Sequence, residues 1–424
     1  MGRYTISEFG SLVAEKKIKG YTTLPQKTFD ALENFLLNSR GKDADALELM
    51  AVSARKGIGK VITAKNYVGT LVMTDGSTIE ILPKVYSAIS DDASGTKAKK
   101  LLLDMLKTLR DSPFKNLQTA NVDVERMSIF EVFIRMFIHE IFSIVKRGLK
   151  CGYETVEENG AFFKGKMNFS QQMRCNPTHK ERCFVEYDAF QVNRPENRLI
   201  KAALQYLYPR SASSKNRNDI KTLLAAFADV EASGDYRGDF GQYIPDRNTK
   251  DYTNALQWCR VFLEGKSFTS FAGSEVAAAL LYPMEKLFES YVAELVKREL
   301  NGSAFTVSIQ DKQRCLFDQA KKKFPIKPDI VLTRKSDKAV FILDTKWKIL
   351  AGNNGGISQA DMYQMIVYQK KYGADHATLI YPGTERGISA GDTDFRSKDG
   401  DWVRIRFVDL FDAQNSIEQL ILSL

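Results

Sequence analysis

Residues 327–348 read KPDIVLTRKSDKAVFILDTKWK. Pro328-Asp329 opens one short apolar run, IVL, and Asp344-Thr345-Lys346 closes a second, AVFIL. The polar TRKSDK between them has a length suited to a hairpin, so two adjacent strands would deliver Asp329 and Asp344 to a comparable edge. Side chains alternate across a strand, so Asp344 and Lys346, two apart, share a face. Two carboxylates held a few ångströms apart repel unless a cation lies between them. Mg2+ suits oxygen ligands and keeps several waters. It polarises a phosphodiester oxygen and lowers the pKa of a bound water. Lys346 would orient that water or neutralise charge in the transition state; spacing leaves both roles open. A lone D-x-K is ordinarily a pair of solvated strand-end charges. What argues against that here is the five-residue apolar strand before it and the Pro-Asp at hairpin distance.

The surrounding pattern predicts an α/β/α layout with a central mixed sheet. A helix is expected over 283–300, with strands at 305–310, 313–317, 328–333 and 339–346. A Gly/Asn loop, AGNNGG, leads to a helix over 358–372, then to strands at 377–381 and 402–409. Two helices offer further candidates. Glu289, in MEKLFESYVAELV, is placed to face the acids, with a solvated Glu as the plain alternative. Gln364 and Tyr368, spaced i, i+4 in DMYQMIVYQKKY, share a helical face. Gln364 would hold a phosphate or order a ligand; an ordinary amphipathic surface is the alternative. Lys321, Lys322 and Lys323, beside Asp329, would suit DNA phosphates or simply solubilise a turn.

Towards the N-terminus, residues 1–125 read as a β-rich domain. TFDALENFLLN (28–38) has helical spacing, and strands are expected at 47–53, 59–64, 67–73 and 78–82. Asp75-Gly76 between YVGTLVM and STIEILP is a hairpin signal. The small, polar 87–98 reads as a loop, followed by helices at 97–111 and 126–148. Residues 126–270 form a mixed middle region, rich in strands and turns to 195 and holding two or three helices to 263. Residues 271–424 form the third domain. On the 126–148 helix, Glu131, Arg135 and His139 make one polar stripe on an otherwise apolar surface.

Composition bounds the rest. The chain has 424 residues, 44% hydrophobic and 27% charged, enough for two or three ordinary globular domains. A net charge of +9 mildly favours a polyanionic partner. Five cysteines, an odd number with no CxxC, point to a reducing cytoplasm without structural disulfides. The first residues lack the apolar core of a signal peptide, and no uncharged 18-residue apolar run predicts a membrane span. Cys175, His179 and Cys183, with Cys151, have spacing that invites zinc, but Pro177 makes the segment a loop and nothing fixes a fourth ligand. KGIGKV (56–61) imitates a phosphate-binding loop, yet Val61 follows Lys60 and residue 54 is Ala54. No GxxxxGK[ST] occurs, so this chain is expected to bind no nucleotide.

The C-terminal segment resembles the PD-(D/E)xK nuclease superfamily, including its RecB-like branch with a QxxxY helix. More narrowly, the chain resembles the McrC family, the nuclease subunits of McrBC-type, 5-methylcytosine-dependent restriction systems. The resemblance is carried by YVGTLVMTDGSTIEILPKV (67–85), FKGKMNFSQQMR (163–174), FVEYDAFQVNRPENRLIKAAL (184–204), MEKLFESYV (284–292), PDIVL (328–332), DTKWK (344–348) and DMYQMIVYQKKY (361–372). It implies a restriction-endonuclease-like C-terminal domain with catalytic Asp329, Asp344 and Lys346. Glu289 and Gln364 are further candidates. Metal ligands would be Asp329, Asp344, the backbone carbonyl of Thr345 and Glu289, holding Mg2+ with Mn2+ as a substitute. Tyr368 joins the three lysines as a DNA-contact candidate. The implied partners are double-stranded, modified DNA and an McrB-like AAA+ GTPase ring, with no membrane. The N-terminal half would dock on that ring and stimulate its GTPase, Arg55, Lys56 and Lys60 being the contact candidates. A stand-alone nuclease and a non-catalytic assembly adaptor are the rival readings.

Overall fold

The computed structural model describes residues 2–38, 46–84, 92–109, 113–116, 127–243, 250–264, 276–317, 324–348, 356–383 and 392–424. In the N-terminal segment, short apolar runs become strands β1 (Arg3–Ser7), β2 (Ser11–Ala14), β3 (Thr22–Leu24), β4 (Met50–Arg55), β5 (Gly59–Ala64), β6 (Tyr67–Met73) and β7 (Thr78–Leu82), accompanied by helix α1 (Gln26–Asn38). One sheet has the order β3-β2-β5-β4, and β1, β7 and β6 belong to a second. The helical spacing of Phe29, Leu32, Phe35 and Leu36 puts them in one core with Leu12 and Ile62 of the first sheet and Leu71, Ile79 and Ile81 of the second. The Asp75-Gly76 hairpin forms as expected: Gly76 has φ +81°, and the Asp75 carboxylate accepts from Ser77 N at 2.7 Å. The loop expected over 87–98 is corrected in its second part, where α2 (Asp92–Lys107) begins. Its small polar start is carried by the buried face Leu101, Leu102, Met105 and Leu106, since packing overrides weak propensity. Residues 85–91 lie outside the described ones.

Phe130–Lys266 is a compact unit of its own. It holds most of α3 (Ile129–Arg147), then β8 (Gly152–Gly160), β9 (Lys166–Met167), α4 (Phe169–Cys175), β10 (Cys183–Gln191), α5 (Pro195–Leu207), α6 (Ser214–Ala226), α7 (Tyr236–Gln242) and α8 (Thr253–Leu263). Among the described residues from 195 to 263 there are therefore four α-helices rather than two or three. The polar stripe of α3 is itself largely buried. Glu131 accepts from Ser211 Oγ at 2.9 Å and Asn216 Nδ2 at 2.5 Å, and Arg135 meets Asp219 at 2.5 Å, so the stripe anchors α6. The antiparallel strands β8 and β10 pair Tyr153 with Phe190, whose rings lie 5.1 Å apart and are 75% and 64% exposed.

The rest of the chain joins the N-terminal segment in a single unit, Met1–Ile129 with Ser267–Leu424. β11 (Val276–Pro283) runs antiparallel to β6 and completes the order β1-β7-β6-β11. The apolar VAAALLYP was not expected to be a strand; its partner lies some two hundred residues earlier. Gly69 permits the pairing. Its φ is +134°, and a Cβ there would sit 2.0 Å from the Leu280 carbonyl oxygen.

There follow α9 (Met284–Glu299), β12 (Phe305–Ile309), β13 (Ile330–Arg334), β14 (Val340–Thr345), α10 (Gln359–Tyr372), β15 (His376–Pro382), β16 (Thr393–Arg396), β17 (Trp402–Val408) and α11 (Ala413–Leu422). They build a mixed six-stranded sheet, order β12-β13-β14-β15-β17-β16. Met365 and Tyr368 of α10 pack with Ile342, Ala377, Leu379, Val403 and Ile405 on one face. Arg404, alternating with Val403 and Ile405, points to the other face and donates to Ser423 O at 2.8 Å, placing α11 there, with α9 packed beside it. The layered α/β/α arrangement expected for this segment is therefore present. The strand expected at 313–317 shrinks to one bridge, Cys315 with Pro325, flanked by Leu316 N to Phe324 O at 2.9 Å and Ile326 N to Arg314 O at 3.0 Å. β16 and α11 were not anticipated.

Candidate active site

The site begins in the register of β13 and β14. Ile330 pairs with Leu343 and Val331 with Ile342. One step further along the same ladder, Asp329 stands opposite Asp344, and residues opposite one another in an antiparallel pair share a face. Pro328, buried and without an N–H, ends the strand there. Asp329 is then fixed by β14: its Oδ2 accepts from Thr345 N at 2.8 Å and from Thr345 Oγ1 at 2.7 Å. Its own carbonyl accepts from Gln310 N at 2.7 Å. Thr345, expected from sequence to offer its backbone carbonyl, thus has a second role. Its amide and hydroxyl orient one acid while the chain on either side presents the other acid and the lysine.

Asp344 is 2% exposed, and its Oδ2 lies 2.6 Å from Lys346 Nζ. That short ion pair is the contact the described residues make to Oδ2. The Lys346 amide donates to Ile380 O at 2.9 Å, which holds the segment beyond the end of β14 against β15. Burial, with the charges of Asp329 and Glu289, lifts the Asp344 carboxyl to about 7 despite Lys346. Burial also lifts Asp329, against the two Thr345 donors. For Lys346, burial favours the neutral amine, but Asp344 outweighs it and the ammonium is held above its usual range.

Glu289 of α9 accepts from Gln310 Nε2 at 2.6 Å, and burial and the charge of Asp329 raise its carboxyl. It stands near the acid pair without closing a cage: among the described residues, no group of three or more His, Cys, Asp or Glu is drawn close enough to hold a metal ion. On α10, Gln364 Nε2 donates to Tyr368 Oη at 2.7 Å, and Tyr368 Oη donates to Lys327 O at 3.1 Å. Helix α10 is thereby tied to the backbone two residues before Asp329. Tyr368 is buried, and its hydroxyl is engaged inside the protein rather than free at the surface. Lys321, Lys322 and Lys323 lie outside the described residues.

Several residues of this site were missed from sequence. Asp361, buried in the first turn of α10, pairs with Lys348 at 2.8 Å and adds negative charge near Lys346. An acid in a first helical turn is a weak signal, since many only complement the helix dipole. Gln310 carried no signal at all; only the fold brings it to Glu289. Of the N-terminal basic candidates, Lys60 pairs with Glu33 at 2.7 Å, Arg55 donates to Tyr21 Oη at 2.6 Å, and Lys56 is exposed. His179, weighed for zinc, meets Glu181 at 2.8 Å.

Fold and site together define a multidomain α/β protein with several mixed sheets and an acid pair plus lysine at one sheet's edge. The chain belongs to the family described as McrBC 5-methylcytosine restriction system component, whose model matches residues 62–382. It is similar along almost its whole length to a chain from "Refined half-complex from tetradecameric assembly of Thermococcus gammatolerans McrB AAA+ hexamers with bound McrC". The TM-score is 0.69 at 20% identity, covering 99% of each chain. A second similar structure, the cryo-EM structure of the Thermococcus gammatolerans McrBC complex, has a TM-score of 0.50 at 22% identity, covering 70% of this chain and 88% of that one. No curated protein matches the sequence. Among the described residues, no helix is long and apolar enough to cross a membrane.

Proposed function

We propose that the chain is the McrC-like nuclease subunit of a modification-dependent restriction system. It would hydrolyse DNA phosphodiesters at Asp329, Asp344 and Lys346 with Mg2+, under the control of an AAA+ GTPase ring whose activity it stimulates. The observation that carries this reading is the ladder register that sets Asp329 against Asp344 with Lys346 on the same face. Family membership supports the restriction role. The structurally similar assembly pairs McrB AAA+ hexamers with McrC. A chain without GxxxxGK[ST] fits the second place in such a pair.

The donor set fits Mg2+. A buried and a half-buried carboxylate, both with raised pKa values, are short of positive charge, and Mg2+ takes one or two carboxylates and completes its shell with water, needing no three-acid cage. Asp329 and Asp344 would hold it, with the Thr345 carbonyl. When bound, it supplies Lewis-acid stabilisation of a phosphoryl oxygen and a more acidic water. Thr345 orients Asp329. Lys346, kept charged by Asp344, places a cation where negative charge builds on the phosphoryl oxygens as water oxygen bonds to phosphorus and the P–O ester bond breaks. Gln364 and Tyr368 fix the backbone that carries Asp329. Glu289 is an additional carboxylate at the rim of the pair, and Lys321, Lys322 and Lys323 are assigned to DNA phosphates. The N-terminal region with Arg55, Lys56 and Lys60 is assigned to docking, and the exposed Tyr153–Phe190 face adds apolar surface for a protein partner.

The test is cleavage of methylated and unmethylated DNA with and without the cognate GTPase and GTP. Cutting should need all components and Mg2+, and Asp344→Ala should abolish it while ring binding and GTPase stimulation persist. Undiminished cutting by metal-replete Asp344→Ala protein would overturn the assignment; robust cutting by the chain alone would favour the stand-alone nuclease.

A further inference from the structure

A buried acid in the turn after the first strand reaches the residue next to Lys346. Glu8 follows β1, and its amide donates to Leu82 O at 3.0 Å. It is 1% exposed. Its Oε2 accepts from Lys84 N at 3.0 Å, and its two oxygens lie 3.1 and 3.2 Å from Trp347 Nε1. The next residue, Phe9, has φ +59°, a left-handed turn that a bulky side chain rarely adopts. The indole also meets Phe288 of α9, with ring centroids 5.3 Å apart and the planes tilted at 60°. The backbone beside it is equally constrained, by Lys346 N to Ile380 O at 2.9 Å and Lys348 N to Lys346 O at 3.0 Å.

A buried carboxylate is costly to keep. An apolar side chain would fill the same space without that cost, but it could not accept the indole N–H. From this arrangement we infer that Glu8 is a positioning residue for the Lys346 end of the site: by holding Trp347 it makes the Asp344–Lys346 geometry depend on the N-terminal sheet. Without that anchor the backbone on the far side of Lys346 keeps only its own hydrogen bonds and is freer to shift, and a displacement of about 1 Å at a reacting group costs on the order of 100-fold in rate.

The inference rests on the nuclease reading, so its test has one readout that needs DNA cleavage and one that does not. With the complete system, Glu8→Ala and Trp347→Phe should each lower kcat by ~10- to 100-fold with KM for DNA nearly unchanged. Trp347→Phe keeps an aromatic ring beside Phe288 but removes the N–H together with part of the indole's volume, so Glu8→Ala, which leaves the indole whole, is read beside it. The double variant should be no worse than the worse single one, because both remove one interaction. Glu8→Gln, which retains an acceptor oxygen, should stay within ~3-fold of the parent. A merely structural role would lower thermal stability, leave kcat per folded molecule intact and make the two effects additive. Independently of cleavage, acetic anhydride labelling followed by mass spectrometry should find Lys346 acylated faster in Glu8→Ala than in the parent or in Glu8→Gln. Unchanged Lys346 labelling, or parental kcat in folded Glu8→Ala protein, overturns the inference. If the parent itself cleaves no DNA, the nuclease reading falls and the labelling alone decides the role of Glu8.

Discussion

Replacing Asp344 by Asn should make the metal-free protein more stable while removing its proposed activity. The carboxyl is 2% exposed and titrates near 7 rather than at 3.8. At ~1.4 kcal/mol per pH unit, that gap amounts to ~4 kcal/mol against the ionised native state. The sign follows from proton uptake. A carboxyl with a raised native pKa binds a proton in the folded chain that the unfolded chain has already lost, so stability falls as pH rises from about 4 to about 7 and is flat above. The Asn variant escapes this loss. Two effects reduce the gain. Asp329 and Glu289 share the titration, so part of the strain remains in the variant. Lys346, 2.6 Å away, loses its partner, worth ~1 kcal/mol. A net gain of ~1–3 kcal/mol at pH 8 is expected, shrinking towards zero near pH 4. Urea unfolding in EDTA at pH 4, 5, 6, 7 and 8 measures it directly. A variant less stable than its parent at pH 8, or a difference that does not change with pH, would refute the electrostatic account of the site.

Three further outcomes test other links. Mg2+ should raise the stability of the parent by ~2.7 kcal/mol at a hundredfold excess over Kd and leave Asp344→Asn nearly unmoved, as read by thermal unfolding; equal shifts would mean the ion binds elsewhere. Thr345→Val removes the 2.7 Å hydroxyl donor to Asp329 but keeps the 2.8 Å amide. It should cost ~1 kcal/mol of stability, lower cleavage by roughly 10-fold, and be rescued by Thr345→Ser. Gly69→Ala drives a Cβ to 2.0 Å from Leu280 O and should cost ~2–5 kcal/mol in a urea titration; a cost below ~1 kcal/mol would show that β11 is not tightly paired with β6.

Much of the site was legible because its chemistry is local. Asp344 and Lys346 are two apart at the end of one strand, Asp329 immediately precedes the strand beside it, and Gln364 and Tyr368 are one helical turn apart. Period-two and period-3.6 spacing fix such relations before any tertiary contact is known. The same locality explains why the Asp75-Gly76 hairpin and the α1 stripe were readable. It also explains why a short polar tract at 92–98 misled: nothing nearby announces that the Leu-rich face of α2 will carry those residues into a helix.

What tertiary structure alone decided depends on residues far apart in the chain. VAAALLYP becomes a strand because Gly69 lets β6 receive it, and no property of the octapeptide selects strand over helix. Gln310 reaches Glu289 only once β12 and α9 are packed, and Glu8 reaches Trp347 across 339 positions. The pKa of Asp344 likewise comes from burial, which a sequence does not display. The sequence by itself determined which residues could do chemistry and their order along each strand and helix. The fold decided how far each was withdrawn from water, which charge faced which, and which distant side chain held the lysine end in place.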